Sequence, residues 1–169
     1  MEYKQRKMNF IKNIFIKPKS NTQSINVVKY PNQFVFETYY RIKNSYSIRS
    51  KEISVLACNA STVDLGKAII KHLSLSKVIT KISEEERKSN DEYYKEITGL
   101  KSIKVQMNEA LQVHISRNNH QIEFYATVNG GTTGDKKGFH FTDNKIIIED
   151  NGNYEMIGET LLLTFEKSK

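Results

Sequence analysis

Apolar and polar residues alternate with a period of two in two stretches of this chain, and each stretch gives way to a period near 3.6. Residues 26–30, 34–42, 46–49 and 53–58 are short runs rich in Val, Ile, Phe and Tyr, separated by Pro31-Asn32, Lys43-Asn44 and Ser50-Lys51. Such punctuation predicts four strands of a β-meander. Ser61 followed by Asp64 has the spacing of a capping box, and Leu65, Ala68, Ile69 and Leu73 then recur at steps of three and four. Together they predict an amphipathic helix over 62–76. Residues 83–97 are strongly charged, with Tyr93, Tyr94 and Ile97 as a thin apolar stripe and Gly99 as a stop. This reads as a mostly exposed connecting helix.

Alternation returns at 110–117 and 120–127, with Asn118-Asn119 as a two-residue turn. Pairing across that turn sets Ile115 opposite Ile122, Val113 opposite Phe124 and Leu111 opposite Ala126, all on one face. Gln112, His114, Ser116, Gln121, Glu123 and Tyr125 fall on the other face. Residues 139–141 and 145–149 predict a second hairpin around Asp143-Asn144.

The tail repeats the first helix. The segment from Ser61 to Lys77 aligns without gaps on the segment from Asn153 to Lys169. Gly66 meets Gly158, and Leu65, Ile69 and Leu73 meet Ile157, Leu161 and Phe165. A glycine inside a helix costs about 1 kcal/mol relative to alanine, so the shared glycine predicts a close helix–sheet approach made twice. The fold class that follows is α+β. Mostly antiparallel sheet is built from two tandem β-meander-plus-helix repeats, joined by a charged helix and preceded by a short arm or helix. The predicted organisation is a basic arm over 1–20 and a single α+β domain over 21–169, with halves at 26–77 and 110–169 and a linker helix at about 83–98.

Length and charge refine this picture. The 169 residues suit one domain or two small halves sharing a core. The net charge is +7, of which residues 1–20 carry +5. The body is nearly neutral, which argues against a nucleic-acid groove. In the arm, Phe10, Ile11, Ile14 and Phe15 share one helix face, while Lys12 and Asn13 break the run that a secretory signal needs. The expectation is an arm docked on its own domain, with a membrane-surface anchor as the alternative. Met1 and Met8 are both candidate starts. No apolar run reaches the ~20 residues that span a bilayer.

Candidate chemistry is sparse. The stretch from Gly130 to Lys137 fails the phosphate-loop spacing, because Asp135 stands five places after Gly130 and Gly138 follows Lys137. It reads as a hairpin connection. His114 and His120 point to opposite faces under the predicted register, so they cannot converge on one substrate. His72 and His140 read as core-edge or surface residues. Cys58, the single cysteine, ends an apolar run and reads as a buried, inert thiol. No metal-ligand spacing is present. The expectation is a binding protein, not an enzyme, with no catalytic residue, metal or cofactor.

Three segments carry a family resemblance: the polar, Tyr-rich strands of 34–48, the helix opening Ser61-Thr-Val-Asp-Leu-Gly-Lys-Ala, and the closing Met156-Ile-Gly-Glu-Thr-Leu-Leu-Leu-Thr-Phe-Glu-Lys-Ser-Lys. Over about a third of its length the chain resembles the immunity proteins of bacterial contact-dependent growth inhibition systems. That resemblance implies a small cytoplasmic protein that binds and blocks the toxic C-terminal domain of its own system's toxin, commonly a nuclease. It implies no direct nucleic-acid partner and no membrane. The net charge of +7 departs from the acidic balance expected of a nuclease inhibitor. The alternatives are a general interaction or regulatory module of bacterial or phage origin and, further off, a small metal-independent nuclease.

A nuclease site is cationic, so its inhibitor meets it with carboxylates. The densest acidic cluster here is Glu84, Glu85 and Glu86 with Asp91 and Glu92, followed at once by Tyr93 and Tyr94. These seven residues are the predicted toxin contact. The Asn129–Gly138 loop and the polar sheet face of His114, Glu123 and Tyr125 are the next candidates.

Overall fold

The computed structural model describes residues 22–169, so the predicted arm and its apolar stripe lie outside the described residues. The first half of the chain forms β1 (Gln23–Lys29), β2 (Gln33–Ile42), β3 (Ser47–Ala57), α1 (Thr62–Leu75) and the two-residue β4 (Val78–Ile79). Two helices follow, α2 (Glu84–Thr98) and α3 (Ile103–Met107). The second half forms β5 (Leu111–Asn118), β6 (Gln121–Asn129), β7 (Phe139–Glu149) and α4 (Tyr154–Phe165). Among the described residues, seven strands make one sheet with the path β3-β2-β1-β5-β6-β7. All neighbours along that path are antiparallel, and β4 adds to β2 in parallel.

Strand parity sorts the side chains. Ile25, Val27, Phe34, Phe36, Val113, Ile115, Ile122 and Phe124 face α1 and α4, where Leu65, Ile69, Leu73, Ile157, Leu161 and Phe165 close the main core. Each such side chain is worth roughly 1.5–3 kcal/mol when fully buried. Val28, Tyr30 and Val35 face the other way and pack with Tyr94 and Ala110 in a smaller core under α2. The layers are therefore a helix pair, the sheet, and a second helical layer over the first half. α3 joins that layer through the Tyr30 hydroxyl, which donates to the Gln106 carbonyl at 2.8 Å.

The two halves share one detailed geometry. Between the pairs Glu37↔Ile53 and Tyr39↔Arg49, β3 spends Ser50, Lys51 and Glu52 against Thr38 alone. Between Tyr125↔Lys145 and Thr127↔Phe141, β7 spends Thr142, Asp143 and Asn144 against Ala126 alone. In each bulge a hydroxyl accepts the amide two residues on, Ser50 from Glu52 at 3.0 Å and Thr142 from Asn144 at 3.1 Å. These bulges correct two predictions. The runs 46–49 and 53–58 are one strand, and 139–149 is one strand rather than a hairpin. A polar residue bonding its neighbour's amide has the same local chemistry in a bulge as in a turn.

Two more expectations shift. The β5–β6 turn is Asn119-His120, with Asn119 at φ 56°, and Asn118 pairs with Gln121. Val113 lies opposite Ala126 and Ile115 opposite Phe124, a slide of two residues that leaves every face as predicted. The shared glycines serve a helix–helix contact rather than a helix–sheet one. A Cβ on Gly66 would lie 1.9 Å from the Tyr154 carbonyl oxygen, and one on Gly158 would lie 1.9 Å from that of Thr62. The predicted cap on α1 is present, with Ser61 Oγ accepting from Asp64 N at 3.1 Å.

Candidate functional site

α2 begins at Ser83, whose hydroxyl accepts from Glu86 N at 3.1 Å, and ends at Gly99 in the left-handed conformation. Glu84, Glu85 and Glu86 fill its first turn, where carboxylates favour the positive end of the helix dipole. All three are exposed, as are Asp91 and Glu92, and Tyr93 is half-buried. Tyr94 is 1% exposed, so the structure removes it from any partner's reach. The stripe read as Tyr93, Tyr94 and Ile97 is in fact Asn90, Tyr94 and Thr98, and Ile97 is exposed. The reason lies one layer down, at Arg49.

Arg49 stands on β3 beneath α2. Its guanidinium lies 3.7 Å from the centre of the Tyr94 ring, with Nη1 at 3.3 Å from Glu37 and Nη2 at 3.0 Å from Asp91. The Asn90 side chain donates to its carbonyl at 3.2 Å. Burial is the largest single influence on Arg49 and opposes its charge, but Glu37, Tyr39, Tyr94 and Asp91 together outweigh it and raise the pKa above the usual arginine value. Burial raises the Tyr94 and Tyr39 hydroxyls far above their ordinary range, Glu37 adding to the effect in both. Glu37 itself is 4% exposed, so this is an ion pair inside the protein.

Among the described residues, no helix covers the equivalent place in the second half. By the matched bulges, Glu37 corresponds to Tyr125 and Arg49 to Phe141, and Asn26 corresponds to His114. Asn26 and His114 are also direct partners between β1 and β5, so the internal two-fold passes between them. His114 Nδ1 donates to Asn26 Oδ1 at 2.8 Å, and burial lowers the ring's pKa to about 4. The His114, Tyr125 and Phe141 rings form a triangle with centroids 5.3–6.0 Å apart. Phe141 is 66% exposed. The Tyr125 hydroxyl donates to Glu123, and its pKa is pushed up to about 12 by burial and by that carboxylate. Around these rings is a concavity of about 600 Å³, reaching Ser24, Arg41, Ser47 and Thr142.

Phe141 escaped the sequence reading because it was counted as a short strand's apolar residue. Its exposure, together with its correspondence to the covered Arg49 of the first half, marks it out. The remaining candidates lie apart. Cys58 is exposed rather than buried, because the strand ends at Ala57. His140 bonds the Lys136 and Lys137 carbonyls and closes the 130–138 hairpin loop. His120 sits exposed in the β5–β6 turn. His72 is 1% exposed and bridges Thr38 Oγ1 at 2.7 Å and Ser54 Oγ at 2.8 Å, a helix-to-sheet tie within the core. No group of three or more ligand side chains that could hold a metal occurs among the described residues. No helix among them is long and apolar enough to cross a membrane.

The described surface thus carries an acidic stretch on α2 and an exposed aromatic cluster on the second half of the sheet. The model of the family CdiI, the CDI immunity protein, matches residues 23–168, and the chain belongs to that family. It is an immunity protein of a CDI, or contact-dependent growth inhibition, system. The fold is similar to that of a Neisseria meningitidis protein of unknown function, with a TM-score of 0.72 and 12% identity over 90% of this chain and 98% of the other. It is also similar to a chain of the CdiA-CT/CdiI toxin and immunity complex from Yersinia pseudotuberculosis, with a TM-score of 0.67 and 17% identity over 88% and 98%. At these identities the likeness is one of fold. No curated protein sequence matches the chain significantly.

Proposed function

We propose that this immunity protein acts as a stoichiometric, non-enzymatic blocker of a nuclease, the C-terminal toxin domain of its own system, in the cytoplasm of the cell it protects. The toxin meets it on the side of the sheet opposite α1 and α4. Glu84, Glu85, Glu86, Asp91, Glu92 and Tyr93 on α2 face the cationic, phosphate-holding site of the nuclease. The His114, Tyr125 and Phe141 face supplies the apolar anchor. One observation carries this reading: among the described residues the second half keeps the sheet geometry of the first but has no counterpart of the helix that covers it, and Phe141 is 66% exposed. Aromatic side chains in such positions dominate binding energy, whereas exposed carboxylates mainly steer encounter. The structural likeness to a chain of a toxin and immunity complex supports the same reading.

The test is kinetic. The variant Glu84→Lys, Glu85→Lys, Glu86→Lys is mixed with the catalytically inactivated cognate toxin domain at two salt concentrations. The association rate should fall about tenfold or more at low salt, with thermal unfolding unchanged. An unchanged association rate removes the acidic face from the interface.

A further inference from the structure

We propose that Arg49 positions the acidic face of α2 for the toxin, a proposal that rests on reading that face as the toxin contact. α2 is a poorly anchored helix. Its buried residues are Asn90, Tyr94 and Thr98, of which only Tyr94 is large. Three α2 residues converge on Arg49: the Asn90 amide at its carbonyl, the Asp91 carboxylate at Nη2 and the Tyr94 ring against the flat of its guanidinium. They span one helical turn, so a single β3 residue, through its carbonyl and its guanidinium, fixes both the height and the rotation of α2.

Arg49 can serve as a reference point because it is itself held. Glu37 grips Nη1 from β2, and the Tyr39 hydroxyl donates to the same Glu37 carboxylate at 3.2 Å. A carboxylate buried this deeply requires its partner, so the guanidinium cannot follow α2 outward. The rotation it sets decides where the acids point. Asp91 is drawn down onto Nη2, while Glu84, Glu85, Glu86 and Glu92 remain on the exposed surface. The second half supplies the contrast. Phe141 takes the place of Arg49, and among the described residues no helix lies over it. A rigid array of carboxylates steers a partner better than a fluctuating one, because fewer encounters meet the wrong orientation.

Two variants separate positioning from folding. Arg49→Lys keeps a positive charge for Glu37 but loses the two-pronged grip and the flat stacking surface. Arg49→Met with Glu37→Gln removes both charges and leaves no buried carboxylate unpaired. In each, amide hydrogen exchange over 84–98 should quicken about tenfold or more, while β1 and β5 amides keep wild-type protection. The association rate with the inactivated cognate toxin domain should fall about fivefold or more. The loss caused by the triple Glu→Lys change should also shrink in the Arg49→Lys background, because the acids no longer act from a fixed array. A purely structural role gives additive losses, and additive losses overturn the proposal. So does a wild-type association rate in Arg49→Lys when the triple variant still slows binding. A triple variant that binds like wild type instead overturns the reading beneath it.

Discussion

Gly66 and Gly158 are reciprocal. Each lies where the other's helix presses a backbone carbonyl against it, Tyr154 on Gly66 and Thr62 on Gly158. In an exposed helix, glycine to alanine gains about 1 kcal/mol. Here a new methyl would stand 1.9 Å from a carbonyl oxygen, and that oxygen belongs to a helix backbone that cannot rotate away. Overpacking of this kind costs typically 1–3 kcal/mol, occasionally more, so the sign reverses. Gly66→Ala and Gly158→Ala should each lower stability by about 2 kcal/mol in urea unfolding. A gain in either variant would show that the helices separate freely.

The apolar faces beside those glycines should respond more strongly. Leu161 is fully buried and Phe165 is 3% exposed, with its ring 5.9 Å from that of Phe34. Truncating such side chains leaves a cavity as well as losing transfer free energy. Leu161→Ala and Phe165→Ala should each cost about 2–5 kcal/mol. A melting temperature for Phe165→Ala within a degree or two of wild type would mean that α4 is not part of the core.

The repeat was legible in the sequence because its signals are periodic: the helix stripes, the shared glycine and the strand alternation all survive in the structure. The bulges were not legible. Ser50 and Thr142 each satisfy a nearby amide with a hydroxyl, and that chemistry looks the same whether the chain turns or continues. The acidic cluster was legible as exposed charge. The inward turn of Tyr94 was not, because it depends on Arg49, distant in sequence and placed by strand pairing alone. The uncovered face was legible only as alternation. That no described residue covers Phe141 is a tertiary fact, visible once the two halves are superposed strand by strand.

His72 makes stability depend on pH. Burial, with a smaller contribution from Lys71, lowers its pKa to about 4, against about 6.5 in an unfolded chain. As pH falls below 6.5 the unfolded state binds a proton that the folded state refuses, so stability declines until pH passes about 4 and then levels. Above 6.5 both states are neutral and the residue adds no slope. The loss attributable to His72 is roughly 3 kcal/mol across that window. His72→Gln can still bond Thr38 and Ser54 but does not titrate. Urea unfolding at pH 7 and pH 4.5 should therefore show a smaller acid loss in the variant. Equal losses would place the acid sensitivity elsewhere.

Phe141 offers the cleanest separation of binding from folding. A core phenylalanine costs ~3–5 kcal/mol on truncation to alanine, but Phe141 is 66% exposed and touches His114 and Tyr125 only at ring edges. Phe141→Ala should leave stability within about 0.5 kcal/mol of wild type, as surface substitutions do. Its effect on the toxin should be of another size. An exposed aromatic that becomes buried on binding contributes 2 kcal/mol or more, as hot-spot residues do, which is roughly a thirtyfold loss of affinity. That loss should appear in the dissociation rate, since an uncharged ring cannot steer encounter. The acidic substitutions on α2 should do the reverse, slowing association and leaving dissociation nearly unchanged. Surface plasmon resonance with the inactivated cognate toxin domain reads both rates at once. A Phe141→Ala protein that unfolds like wild type and releases the toxin no faster would clear the His114–Tyr125–Phe141 face of any part in the interface, and would leave α2 to carry it alone.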